Sequence, residues 1–112
     1  LFRSYEQVDV ILMPASPTTA FKFGELSDPT QMYLSDMFTI SINIAGNGGI
    51  TVPCGVGADS GLPVAVQLVG RAFDDRRLLT FARAVERGHA QAAGVPGCVV
   101  APDFAGKGGE LA

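Results

Sequence analysis

Residues 32–55 read MYLSDMFTISINIAGNGGITVPCG, and this stretch decides the fold that the sequence predicts. Its first part, residues 32–45, predicts a helix that is apolar around most of its circumference and is therefore mostly buried. The AGNGG that follows predicts a left-handed end to that helix. Residues 50–54, ITVPC, then predict a strand. A buried helix that leads directly into a strand is typical of a layered α/β protein.

Asp36 is the one charged residue in this stretch. At 100° per residue, Asp36, Thr39 and Asn43 share one narrow arc of the predicted helix and form a polar stripe. A buried carboxylate must be paired or hydrogen-bonded, because an isolated buried charge costs several kcal/mol. One interpretation is that the stripe satisfies neighbouring backbone groups. The other is that it faces a cleft, where Asp36 holds a cationic group of a small ligand, such as an ammonium.

Two further segments predict strands. Residues 8–13, VDVILM, form a short apolar run closed by a proline, and residues 64–70, VAVQLVG, follow a turn after the strand at 50–54. The alternation of strands and helices predicts the α/β class, with a sheet that is mixed because a short turn joins two of its strands. Residues 1–93 are expected to form the folded portion, and residues 94–112 a Gly/Pro-rich tail.

The clearest helix signal begins after Asp74, which is a favourable N-cap residue. Phe73 and Leu78 occupy the two positions of a hydrophobic staple. One face of this helix carries apolar residues at helical spacing, and these are Leu78, Phe81, Ala82 and Val85. Arginines occupy the opposite side, which predicts a solvated face.

Composition argues against several classes of partner. The formal net charge is −3, and the eight basic residues are scattered rather than clustered, so the chain lacks the basic patch of a nucleic-acid-binding face. Its apolar runs are shorter than the roughly 18 residues that a membrane-spanning helix requires. No membrane partner is predicted, and the chain is assigned to the cytoplasm by default.

Side chains for catalysis and metal binding are scarce. The one histidine, His89, has no neighbour at metal-ligand spacing, so no metal site is predicted. Cys54 and Cys98 are interpreted as free thiols. The glycine-rich segments do not open a helix, which argues against a bound nucleotide, and no cofactor is predicted on this chain. Because the chain starts at Leu1 and lacks a nucleophile beside a base, it is interpreted as a piece of a larger protein.

Six segments occur in an order that resembles a known enzyme family. They are VDVILMPASPTTAF, a DP pair, MYLSDMFTISINIAG, ITVPCG, GLPVAVQLVGRAFDDRRLL and AVE, and the resemblance runs from about Val8 to Glu86. The chain resembles the C-terminal part of the amidase-signature enzymes, and within them it is most similar to the A subunits of glutamyl-tRNA(Gln) amidotransferases. The resemblance implies the C-terminal portion of an α/β/α fold with a mixed sheet.

The resemblance also implies an activity and a site. In that family two serines and a lysine hydrolyse an amide, and all three belong to a region upstream of the segments found here. No catalytic residue is therefore expected in this chain, and the chain alone is expected to be inactive. The acid of the MYLSD segment carries over to Asp36, which the resemblance identifies as the residue that holds the α-amino group of the substrate glutamine.

Partners follow from the same resemblance. Ammonia released from glutamine would pass to a B subunit, which uses ATP and Mg to activate glutamate on mischarged tRNA, and a small C subunit would hold the pair together. The tRNA would be reached through this complex rather than through the present chain. The whole enzyme would be a ligase of protein biosynthesis.

Two alternatives remain open. In the first, the chain belongs to a stand-alone amidase that acts on another amide; in the second, the isolated chain is a non-catalytic binding or assembly module. One departure from the family pattern is the segment NIAGNGG, where Gly48 replaces a proline that many members of the family carry, and this predicts a looser turn after the helix.

Overall fold

A computed structural model describes residues 3–93 of the chain. The predicted tail at 94–112, with Cys98, lies outside the described residues. The described elements are a 3₁₀ turn (Ser4–Glu6), strand β1 (Ile11–Pro14), helix α1 (Pro29–Ser35), helix α2 (Met37–Ala45), strand β2 (Gly49–Val56), strand β3 (Pro63–Val69) and helix α3 (Asp75–Ala93).

The three strands form one sheet in the order β1-β3-β2, with both neighbouring pairs antiparallel. A tight turn joins β2 to β3, and in it the Gly57 N–H donates to the Leu62 carbonyl at 2.8 Å. A connection this short produces antiparallel neighbours, since a parallel pair needs a crossover of a dozen or more residues. The α/β class is confirmed. The mixed sheet expected for the complete family fold stays a prediction, because these three described strands contain only antiparallel pairs.

Helix α3 covers one face of the sheet. The core on this face consists of Val52, Leu68, Leu78 and Ala82, and Val10, Ile50, Val66 and Val85 pack around it half-buried. Because side chains alternate along a strand, Ile50 and Val52 of β2 and Val66 and Leu68 of β3 share the face that packs against α3. The predicted apolar face of the last helix is therefore confirmed for Leu78, Ala82 and Val85, whereas Phe81 is half-buried and lies outside this core.

Helix α2 lies on the opposite face of the sheet. Its Ile42 is 5% exposed, and a Cβ built at Gly49 of β2 would lie 3.5 Å from the Ile42 Cγ2. The Gln67 side chain of β3 also reaches this helix. The described part of the chain thus has three layers, with α2 and α3 on opposite sides of the sheet.

The hydrophobic staple predicted before α3 is wrong. Phe73 is 99% exposed, whereas Leu78 is buried in the core, so the two side chains do not form the predicted buried pair. The backbone explains the difference, because Phe73 adopts a positive φ of 63°, a conformation in which a bulky side chain is rare. The helix begins at Asp75, which leaves Asp74 at the predicted N-cap position, and the Asp74 carbonyl accepts from the Leu78 N–H at 3.1 Å.

The N-terminal segment is attached to the link between β3 and α3. The Tyr5 hydroxyl donates to the Gly70 carbonyl at 3.0 Å, and the Arg71 guanidinium donates to the Tyr5 carbonyl. Asp9 forms a salt bridge of 2.7 Å with Arg77 of α3.

Burial raises the pKa of the Tyr5 phenol above its ordinary value of 10.0, and the charge of Arg71 partly opposes that shift.

Replacing Tyr5 with phenylalanine is expected to lower the free energy of unfolding at neutral pH by about 1 kcal/mol, because the Gly70 carbonyl loses its donor. The raised pKa adds a pH dependence. The neutral phenol stabilises the folded chain fully below the ordinary tyrosine pKa of 10.0, and this contribution is lost as the pH rises through the folded-state pKa. Denaturant titrations at neutral and alkaline pH would measure both effects.

Tyr33 offers a matched control, since it is the other tyrosine and is 74% exposed. Tyr33→Phe is expected to keep the alkaline loss of stability that the parent chain shows, whereas Tyr5→Phe is expected to reduce it. An unchanged alkaline slope in Tyr5→Phe would contradict the role assigned to the buried phenol.

Candidate functional site

Asp36 stands at the junction of two helices. It ends α1 and immediately precedes α2, with φ −99° and ψ 7°. These angles fall in the sparsely populated bridge region, where many active-site residues are found. The single helix predicted over residues 32–45 is therefore wrong at this point. The Ser35 hydroxyl donates to the Met32 carbonyl at 2.6 Å, and this side-chain bond competes with continuation of the helix.

The first of the two helices also starts earlier than predicted. The Asp28 carboxylate accepts from the Thr30 N–H at 2.9 Å, and Pro29 occupies the first helical position. An acidic N-cap followed by proline is a recognised start signal, since proline lacks the N–H that the first turn leaves unpaired. The Asp28–Pro29 pair was therefore the signal for the true start of α1.

The polar stripe of Asp36, Thr39 and Asn43 is present on α2 and its N-terminal junction. The Thr39 hydroxyl donates to the Asp36 carbonyl at 3.0 Å, and the Asn43 amide donates to the Thr39 carbonyl at 3.2 Å. The side chains of Thr39 and Asn43 therefore donate hydrogen bonds to neighbouring backbone carbonyls, as the first interpretation of the polar stripe predicted. The Asp36 carboxylate differs, because within residues 3–93 it takes part in no hydrogen bond or salt bridge.

The prediction that this helix is mostly buried is wrong for the described chain. Only Ile42 is buried in α2, while Met37 is 51% exposed and Ile44 is 82% exposed. Ile42 packs against the sheet, whereas most of the other side chains of α2 are exposed. Asp36 is itself exposed, so its carboxylate stays hydrated and the fold does not require a partner for its charge. A solvated carboxylate without a partner in residues 3–93 is available to a cationic ligand.

An open cleft of about 500 Å³ lies elsewhere on the molecule. It is formed by residues 15–21 of the irregular loop and residues 63–65 at the start of β3, and it contains the hydroxyls of Ser16, Thr18 and Thr19. Asp36 does not line this cleft.

The remaining candidate groups do not assemble into a reactive site. The Cys54 thiol is free and half-buried, with its Sγ 3.7 Å from the Val64 carbonyl oxygen. His89 is half-buried on α3. Residues 3–93 contain no group of three or more His, Cys, Asp or Glu side chains arranged to hold a metal ion. Within the same residues, no helix has both the length and the hydropathy needed to cross a membrane.

The end of α2 confirms the predicted left-handed turn. Gly46 has φ 68° and ψ 25°, and the Asn47 N–H donates to the Ile42 carbonyl at 3.2 Å. A Cβ built at Gly48 would lie 3.2 Å from both the Asp75 Oδ1 and the Leu78 Cδ2. The absence of a side chain at Gly48 thus lets this turn approach the first turn of α3 closely.

Asn47 is a half-buried polar residue that sequence reasoning missed. Its side-chain Nδ2 and Oδ1 are both buried, and neither has a hydrogen-bond partner within residues 3–93. Such a group costs about 1 to 3 kcal/mol, so Asn47→Leu is expected to raise the free energy of unfolding by about that amount. Chemical denaturation would measure the gain. Asn43→Leu is the matched control, because the Asn43 amide is exposed and bonded to Thr39; an equal gain in both variants would refute the cost assigned to Asn47.

Comparison with known proteins identifies the family to which the chain belongs. The amidase family model matches residues 1–79. The A subunit of the glutamyl-tRNA(Gln) amidotransferase of Oleidesulfovibrio alaskensis is 51% identical over 86 residues, covering 76% of this chain and 18% of the relative. The protein of the same name from Anaeromyxobacter sp. (strain K) is 54% identical over 85 residues, covering 75% of this chain and 17% of the relative.

A solved structure agrees with these matches. The A subunit of the glutamyl-tRNA(Gln) amidotransferase of Thermotoga maritima superposes with a TM-score of 0.70 at 48% identity, covering 77% of this chain and 19% of that structure. The chain therefore spans less than a fifth of the length of these three relatives.

Proposed function

Because the chain belongs to the amidase family, we propose that it forms the C-terminal segment of the glutaminase subunit of a glutamyl-tRNA(Gln) amidotransferase. The observation that carries this proposal is the identity of about half of the aligned residues to proteins of that name, together with the matching fold. In this proposal the complete subunit releases ammonia from glutamine for the conversion of Glu-tRNA(Gln) to Gln-tRNA(Gln).

Asp36 is the residue that binds substrate in this proposal. Its exposed carboxylate has no partner within residues 3–93, and the Asp36 carbonyl accepts from the N–H groups of Thr39 and Ile40 at 3.0 and 3.1 Å. The carboxylate is thus held on a fixed turn while its oxygens remain free. It accepts charge-assisted hydrogen bonds from the α-ammonium group of glutamine, which orients the side-chain amide without breaking it.

Bond cleavage and ammonia use belong to other parts of the enzyme. The two serines and the lysine of the family lie outside this chain in our proposal, so the chain alone releases no ammonia from glutamine. The B subunit uses ATP and Mg to activate glutamate on the tRNA, the C subunit holds the A and B subunits together, and the complex works in the cytoplasm. No cofactor is assigned to the present chain.

The first alternative is a stand-alone amidase of the same family, in which Asp36 need not meet an ammonium group. The second is a non-catalytic binding or assembly module. The proposed subunit depends on partner subunits and prefers glutamine, whereas a stand-alone amidase needs neither property. Activity restored by joining the chain to the rest of an amidase fold argues against the second.

A chimera tests the proposal directly. In it, the present chain replaces the equivalent segment of the Thermotoga maritima A subunit, and the product is combined with the other subunits of that enzyme. We expect glutamine-dependent formation of Gln-tRNA(Gln) by the chimera and no ammonia release by the present chain alone. Hydrolysis of simple amides without the partner subunits and without preference for glutamine would instead support the stand-alone amidase. The unmodified Thermotoga protein is the positive control.

A further inference from the structure

Gln67 is the buried polar residue at the centre of the sheet. It lies on β3, the middle strand, and is 5% exposed. Its side-chain Nε2 donates to the Phe38 carbonyl of α2 at 3.4 Å, across 29 residues of sequence. A buried amide requires a partner, and this helix carbonyl provides one. The bond joins the sheet to the first turn of α2.

The direction of the Gln67 side chain follows from the strand. Its neighbours Val66 and Leu68 pack with the core under α3, so Gln67 points to the opposite face, where α2 lies. Across the sheet it stands beside Met13 and Thr51. Neither of these neighbours carries a charge that would compete for its amide.

Phe38 is only two residues beyond Asp36. The Asp36 carbonyl accepts from the Thr39 and Ile40 N–H groups, so Asp36 and Phe38 belong to one hydrogen-bonded turn. Ile42 anchors the helix one turn later through apolar contact, which has no preferred direction. A hydrogen bond does have a preferred direction, and the bond from Gln67 therefore limits rotation of this turn about the helix axis.

We infer that Gln67 is a positioning residue for substrate binding. It holds the first turn of α2 against the sheet and so sets where the Asp36 carboxylate lies relative to the glutamine ammonium. This inference rests on the proposed function. A purely structural role of Gln67 would lower folding stability and reduce the use of every ammonia donor alike, whereas a positioning role acts on glutamine binding.

The experiment uses the chimera with its partner subunits and compares glutamine with free ammonia as donor. Gln67→Met keeps the approximate length of the side chain and removes the donor; Gln67→Asn keeps an amide but ends one methylene short of Phe38. Each variant is expected to raise KM for glutamine about fivefold, which corresponds to the loss of one hydrogen bond. We expect kcat with glutamine and the ammonia-dependent rate to stay within about twofold of the parent.

Val66→Ala is the matched control, because Val66 is the neighbouring β3 residue and faces α3 instead of α2. The Val66→Ala variant shows how much the KM for glutamine changes when packing is lost in the same strand. A KM change in Val66→Ala equal to that in the Gln67 variants would overturn the positioning role. If Gln67→Met does not fold, Gln67→Asn gives the same comparison, and an unchanged KM in it also overturns the inference.

The Asp36→Ala variant, measured in parallel, distinguishes failure of the Gln67 inference from failure of the proposed substrate-binding role of Asp36. A selective loss of glutamine use in Asp36→Ala without one in the Gln67 variants would refute the inference and leave the proposed function standing. No selective loss in Asp36→Ala would refute the substrate-binding role of Asp36 and, with it, the role of Gln67.

Discussion

Replacing Asp36 with alanine in the chimera is expected to lower kcat/KM for glutamine by about 10- to 150-fold, equivalent to about 1.5 to 3 kcal/mol for hydrogen bonds to a charged group. The main change is expected in KM, because Asp36 binds an ammonium group that is not consumed in the reaction. Use of free ammonia bypasses the glutamine site, so that rate is expected to remain within about twofold of the parent. Steady-state kinetics with both donors would measure the two effects.

Two further variants sharpen this prediction. Asp36→Asn keeps the shape of the side chain and removes its charge, so a loss close to that of Asp36→Ala would identify the charge as the cause. Asp59→Ala removes an exposed acid from the turn between β2 and β3 and is expected to leave glutamine use unchanged. Equal losses with glutamine and with ammonia in Asp36→Ala would show that Asp36 supports the fold rather than the substrate.

The sequence predicted the α3 side of the molecule well, for a physical reason. Leu78 and Ala82 recur at helical spacing, and the partners that bury them, Val52 and Leu68, lie within the same short chain. The strands at 50–54 and 64–70 were identified from β-branched runs separated by turn residues, and only their bounds moved. On this side of the sheet, the spacing of apolar residues in the sequence therefore agrees with the packing found in the structure.

The other side of the molecule was predicted less well. The apolar character of residues 32–45 was interpreted as burial, yet most side chains of α2 are exposed because the described residues supply little to cover them. The break at Asp36 was missed because neither proline nor glycine interrupts the helical pattern; its signal is Ser35, whose hydroxyl bonds to the backbone. The bond from Gln67 to Phe38 joins residues 29 positions apart, and no local pattern predicts such a contact.

Leu78→Ala is expected to have the largest effect on stability, lowering the free energy of unfolding by about 2 to 5 kcal/mol. Leu78 is 5% exposed and packs with Val52, Leu68 and Ala82. A Cβ built at Gly70 would lie 3.4 Å from the Leu78 side chain, and one built at Gly48 would lie 3.2 Å from it. The site is therefore enclosed by backbone on two sides, and backbone held by the sheet closes poorly around a cavity, so the cost should lie in the upper part of this range.

The adjacent residue gives the control for this prediction. Leu79 is 57% exposed, and Leu79→Ala removes the same atoms from the same helix with an expected change within about 0.5 kcal/mol. Denaturant titrations should show a lower midpoint for Leu78→Ala with an unchanged slope, since the surface exposed on unfolding is nearly the same. Similar midpoints for the two variants would mean that α3 is not held to the sheet by its apolar face. The attachment would then have to come from the polar contacts of its first turn, chiefly the salt bridge from Arg77 to Asp9, which is exposed and contributes at most about 1 kcal/mol. That contribution is too small to hold a helix of 19 residues in place, and the apolar face is therefore the attachment that the Leu78→Ala measurement tests.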